Sequence, residues 1–123
     1  MGGRNAGVMA SSAQSARENG GVTVGILPDE SAQAVCPFIQ IPILTGMGNA
    51  RNCINVLSSH VVVACPGGTG TISEIALAIK SNRPVILMNF DIQKLFARYL
   101  KDGRLFAVKT PEGVISTIEQ IFK

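Results

Sequence analysis

Three glycine-rich junctions carry the residues most able to do chemistry. The densest is Pro66-Gly67-Gly68-Thr69-Gly70-Thr71, three glycines and two threonines in six positions. Glycine lets backbone N–H groups turn towards an anion and approach it closely. Threonine hydroxyls add donors. If the run opens a helix, unpaired N–H groups and the positive end of the helix dipole act on the same anion. Phosphate capture is the chemistry this predicts. No lysine separates Gly70 from Thr71, so this is not a Walker A loop, and the spacing is not that of GxGxxG. Thr45-Gly46-Met47-Gly48-Asn49 has the same character, and reads evenly as an anion loop or a tight turn. The opening stretch 2–7 by itself reads as a turn.

Two charged residues stand beside these loops. Arg51 falls in the first turn of an expected helix, where a cation opposes the dipole at a cost of about 0.3–1 kcal/mol. An anion at the same helix start removes that conflict; a solvated surface arginine is the alternative. Glu74 closes Thr71-Ile72-Ser73-Glu74, which matches the S/T-x-x-E capping box. The local pattern favours the cap; the other reading is a carboxylate serving a bound sugar. Cys36, Cys53 and Cys65 are widely spaced, with no CxxC and a single histidine, His60. No metal site is expected from that set. Three reduced thiols in the cytoplasm are expected instead.

The elements that must position these loops are legible as alternating patterns. Short β-branched runs predict strands at 22–27, 38–44, 61–65, 84–89 and 104–109. Helical patterns fall at 6–19, 49–59, 71–81, 92–101 and 111–122. Strict alternation implies a parallel sheet with helices on both faces, a three-layer α/β domain covering 1–123. The run 61–65 is apolar throughout, as a central strand should be. Asn19-Gly20-Gly21 is a helix stop, and Thr110-Pro111-Glu112 a helix start. The 45–49 and 66–71 loops both follow strands and open helices, the edge where open parallel sheets bind ligands.

Composition narrows the function classes. Charged residues make up only 15% of the 123, which suits a sheet buried on both faces. The net charge is +3 without a basic block, and aromatics are 5% with no Trp. That makes nucleic acid an unfavoured partner, and no apolar run is long enough for a membrane span.

The stretch PGGTGTISE resembles the PGGxGTxxE motif of the Lonely guy (LOG) family. Arg51 stands fifteen positions before Pro66, as the family's catalytic arginine does. Gly3-Arg4-Asn5-Ala6-Gly7-Val8-Met9 is similar to the family's GGxxGVM segment, and Gly20-Gly21-Val22 onward also fits. Gly46-Met47-Gly48-Asn49-Ala50-Arg51-Asn52 most resembles the LOG-like, DNA-processing Smf-related branch that includes molybdenum cofactor carriers. The resemblance implies a Rossmann-like fold, N-terminally shortened by a strand, a helix and a strand, and a homodimer or higher homo-oligomer. It implies that Gly46, Gly48, Pro66, Gly67, Gly68, Thr69, Gly70 and Thr71 bind a phosphorylated, nucleotide-like ligand, with molybdopterin cofactor as cargo. In catalytic relatives, the positions of Arg51 and Glu74 hydrolyse the N-glycosidic bond of nucleoside 5′-monophosphates. Here Asn49-Ala50, His60 and Ser73 replace a His-Glu pair and two acids of those relatives. Ligand binding is therefore the first expectation and phosphoribohydrolysis the alternative. Lysine decarboxylation, an old label for the family, has no cofactor-lysine motif behind it.

Overall fold

A computed structural model describes residues 1–4 and 6–123. Asn5, part of the opening glycine-rich junction, lies outside the described residues. The chain divides into two compact units, Met1–Asn55 and Val56–Lys123.

The first unit contains helix α1 (Gly7–Glu18), strands β1 (Val24–Leu27) and β2 (Ile41–Leu44), a 3₁₀ turn at Gly48–Ala50, and most of helix α2 (Arg51–Leu57). β1 and β2 pair in parallel, Val24 opposite Ile41 through Leu27 opposite Leu44. Helix α1 ends in a Schellman turn: Gly20, at φ +81°, donates its N–H to Arg17, and Gly21 donates to Ala16 at 2.8 Å. α1 buries Ala13, which packs with Cys36 and Ile39. Thr23, buried before β1, donates its hydroxyl to the Phe38 carbonyl at 2.6 Å and accepts the Gln40 N–H. That buried hydroxyl fixes the β1–β2 register.

The second unit contains β3 (Val62–Ala64), α3 (Thr69–Lys80), β4 (Val85–Met88), α4 (Ala97–Lys101) after a 3₁₀ turn at Gln93–Phe96, β5 (Leu105–Val108) and α5 (Pro111–Ile121). Its sheet runs β3-β4-β5, all parallel. β4 is the central strand, with Val85, Ile86 and Leu87 all buried. Ile75, Ala78 and Ile79 of α3 pack on Val85, Leu87, Leu105 and Ala64. α5 starts as its sequence predicts, with the Thr110 hydroxyl accepting the Gly113 N–H at 3.1 Å and Pro111 in the first turn.

All five strands and five helices occur where the pattern places them, in an α/β arrangement of parallel strands flanked by helices. The differences are physical. The 38–44 run contributes only Ile41–Leu44, because the preceding residues turn to satisfy Thr23. β2 is exposed at all four positions, so burial on both faces fails there. The 61–65 run was expected at the centre of a sheet; among the described residues β3 hydrogen-bonds only to β4, and Val63 is 42% exposed. The 92–101 helix is half 3₁₀ turn, since Ile92 and Phe96 at its joints lie outside helical geometry.

Candidate functional site

In the second unit, β3 delivers the chain into the glycine-rich loop and α3 takes it out. Residues 66–70 are exposed. The helix begins at Thr69, and Gly68 is its N-cap in extended geometry (φ −92°, ψ −155°). Its carbonyl accepts the Ile72 N–H at 3.2 Å. This corrects the capping-box reading: Thr71 lies inside the first turn and does not cap, and Glu74 sits in the second turn, half-buried. Among the described residues, the backbone N–H groups of Gly67, Gly68, Thr69, Gly70 and Thr71 have no acceptor within the chain. Five consecutive donors thus stand at the positive end of a 12-residue helix.

The three glycines of this loop differ in what they require. A Cβ at Gly67 would overlap the Thr71 hydroxyl and meet its Cβ at 3.1 Å. Gly67 is therefore set by the fold of its own loop. A Cβ at Gly68 or Gly70 would meet nothing within 4 Å, and neither residue has a positive φ. Neither crowding nor backbone conformation inside the chain asks for glycine at these two positions. Just upstream, Cys65 is half-buried, and loss of solvation pushes its thiol pKa up.

In the first unit, Arg51 enters α2 directly after the 3₁₀ turn. Its Nη1 donates to the carbonyl oxygens of Gly2 and Ile26, each at 2.7 Å. Met1 also pairs with β1: its carbonyl accepts the Ile26 N–H at 2.8 Å. One arginine arm therefore clamps the 1–3 segment to β1. A Cβ at Gly2 would come within 2.7 Å of that Nη1, and Gly3 crosses Gly25 so closely that a Cβ on it would lie 2.9 Å from the Gly25 Cα. The opening glycines thus serve close backbone approach. Sequence reasoning missed this clamp because the two acceptors it joins, on Gly2 and Ile26, are main-chain carbonyls, which no residue type announces.

Gly46 and Gly48 adopt positive φ, +60° and +55°. The N–H of Gly46 donates to Asp29, that of Gly48 to Pro28, and that of Met47 to the Thr45 hydroxyl. The amides of this loop are spent within the unit, those of Gly46 and Gly48 on the 28–29 segment, unlike those of the 67–71 loop. Asp29 is itself held by Arg4 at 2.9 Å. Among the described residues no group of three or more His, Cys, Asp or Glu is placed to hold a metal ion.

A family model, that of the SLOG cluster4 family, matches residues 1–115. The chain belongs to the SLOG cluster4 family. This SLOG cluster4 chain is 47% identical to the molybdenum cofactor binding protein of Rippkaea orientalis, at a TM-score of 0.92 over 99% of this chain and 76% of that one. It is 39% identical to the molybdenum cofactor carrier protein of Chlamydomonas reinhardtii, at a TM-score of 0.88 over 98% of this chain and 74% of that one. An uncharacterized protein of Archaeoglobus fulgidus is 48% identical over 80 residues, 64% of this SLOG cluster4 chain. The matched segment is 52% of that relative, about half its length. The fold of the chain is thus Rossmann-like, as in those carriers. No helix among the described residues is long and apolar enough to cross a membrane.

Proposed function

We propose that this chain binds a phosphorylated, nucleotide-like ligand and acts as a carrier of molybdenum cofactor. The observation that carries the reading is the pair Gly68 and Gly70. With no demand for glycine inside the chain, these positions are explained by the close approach of a ligand from outside. The five acceptor-free amides of residues 67–71 support an anion as that ligand's nearest group. The terminal phosphate of the molybdopterin would lie on these amides, with the Thr69 and Thr71 hydroxyls as further donors. Pro66 brings the chain into the loop without adding an N–H. The relatives named for molybdenum cofactor binding and carriage, at 39% and 47% identity, support the identity of the cargo.

Arg51 acts within the first unit as a positioning residue, holding the 1–3 segment against β1 through Gly2 and Ile26. Gly46 and Gly48 shape the turn before α2. The exposed apolar side chains Ile41, Ile43, Leu44 and Met47 support self-association. The free thiols Cys36, Cys53 and Cys65 support a reducing, cytoplasmic setting.

The test is direct loading of the purified chain with molybdenum cofactor, followed through pterin fluorescence after oxidative release, with Gly68→Val as the comparison. One observation favours a second reading, a phosphoribohydrolase. Glu74 sits half-buried in the second turn of α3, on the helix that the glycine-rich loop opens. Release of free base from AMP, lost in Glu74→Gln, would carry that reading over the first.

A further inference from the structure

The second unit holds another pocket, built from the C-terminal half of α3, the 3₁₀ turn with α4, and the residue before β5. It encloses about 310 Å³ and is lined by Ala76, Ile79, Lys80, Phe96, Tyr99 and Arg104. The glycine-rich loop lies at the opposite end of α3, whose 12 residues span about 18 Å. The pocket is therefore separate from the phosphate cradle.

Two helix stops converge on its cation. α4 ends in a Schellman turn in which Gly103, at φ +67°, lets the Arg104 N–H reach the Tyr99 carbonyl at 3.2 Å. That turn also lays the Arg104 guanidinium over the Tyr99 ring, 5.0 Å from its centroid. α3 ends in the same motif with Asn82 at φ +55°, and the Arg83 N–H donates to Ala78 at 2.8 Å. The Asn82 Oδ1 then accepts from the Arg104 Nη1 at 3.2 Å, while Nη2 pairs with Asp102 at 2.9 Å. Ring, amide and carboxylate fix the guanidinium before any ligand arrives.

The remaining surfaces define what fits. Ile79 is buried, and Phe96 and Tyr99 are half-buried, giving an apolar and aromatic wall. Lys80 is exposed in the last turn of α3. Among the described residues Lys80 takes part in no ion pair, so its charge is not neutralised by a carboxylate. Lys80 and Arg104 against Asp102 leave one net positive charge at the rim. A volume near the lower end of ligand pockets admits about one ring.

We propose that this pocket binds a small ring-bearing monoanion, a carboxylate whose ring packs on Ile79, Phe96 and Tyr99 and whose charge meets Lys80. Asp102 disfavours a dianionic phosphate there, which distinguishes this ligand class from that of the glycine-rich loop.

The chain has one tyrosine and no tryptophan, so Tyr99 alone supplies its intrinsic emission. Cyclohexanecarboxylate, which does not absorb at the excitation wavelength, is titrated against that emission. The expected result is a saturable change, about tenfold weaker in Lys80→Met and weaker again for the neutral alcohol cyclohexylmethanol. Lys80 is exposed, so the variant keeps its fold, which a thermal melt checks. Gly68→Val, at the other end of α3, leaves the titration unchanged. No saturable change up to about 10 mM, equal binding by Lys80→Met, or equal binding of the alcohol would each overturn the proposal.

Discussion

Thr71 folds its side chain back over Gly67, so closely that a Cβ at position 67 would meet the Thr71 Cβ at 3.1 Å. One and three residues beyond Gly67, at Gly68 and Gly70, the same loop has open space. The loop's first glycine thus answers to its own fold, and the other two to what lies outside it.

That difference predicts opposite stability outcomes for chemically identical changes. Gly67→Ala must displace Thr71 at the first turn of α3, at a cost of about 1–3 kcal/mol. Gly68→Ala places its methyl in open space and costs about 0.5–1 kcal/mol, the preference of an N-cap for glycine over alanine. Gly70→Ala, inside the helix, gains about 0.5–1 kcal/mol from its better helix propensity. Urea unfolding of the three variants checks the order. A Gly67→Ala variant as stable as the parent would remove the distinction.

Arg51 holds two main-chain carbonyls through one nitrogen. Arg51→Met leaves both part-buried oxygens without that donor, so a loss of about 1–3 kcal/mol is expected. Lysine, with a shorter reach and no planar fork, should restore only part of it. Hydrogen exchange at the Ile26 amide, which donates to Met1, gives a local readout. Faster exchange there, beyond the global loss, is the mark of a clamp.

Most of the fold was legible because its punctuation is chemical. Thr110 and Pro111 mark a helix start, and Gly20 a helix stop, by hydrogen bonds the structure contains. The loop at 66–71 was legible for the same reason. The helix start itself was misplaced: the S/T-x-x-E pattern pointed to Thr71, while the extended Gly68 and its bond to Ile72 put the cap three residues earlier. Gly46 and Gly48 resembled an anion loop, since composition does not reveal that the Pro28 and Asp29 carbonyls take their amides. The Tyr99–Arg104 pair was invisible for a related reason. It depends on Gly103 turning the chain by a positive φ, and on Asn82 arriving from another helix.

Cys65 yields a pH prediction with a definite sign. Burial raises its thiol pKa in the folded chain, so the folded state keeps its proton after the unfolded state has begun to lose it. Stability is therefore unaffected below the unfolded thiol value, about 8.5, and declines as pH rises above it. Urea unfolding at pH 7 and at about 10 should show this decline reduced in Cys65→Ala. At pH 8, a disulfide reagent should modify exposed Cys53 before Cys65, and Cys36, 1% exposed, last.

The central claim is that the amides of 67–71 hold the phosphate of a carried pterin, with Gly68 and Gly70 leaving it room. Its most direct test is the affinity of the chain for molybdenum cofactor, measured side by side with Gly68→Val. The account predicts saturable binding by the parent and at least about a tenfold loss in Gly68→Val, with the variant still folded and melting only about 4–8 °C lower, as loss of a glycine N-cap implies. Equal binding by both chains, or no binding by the parent, would contradict it.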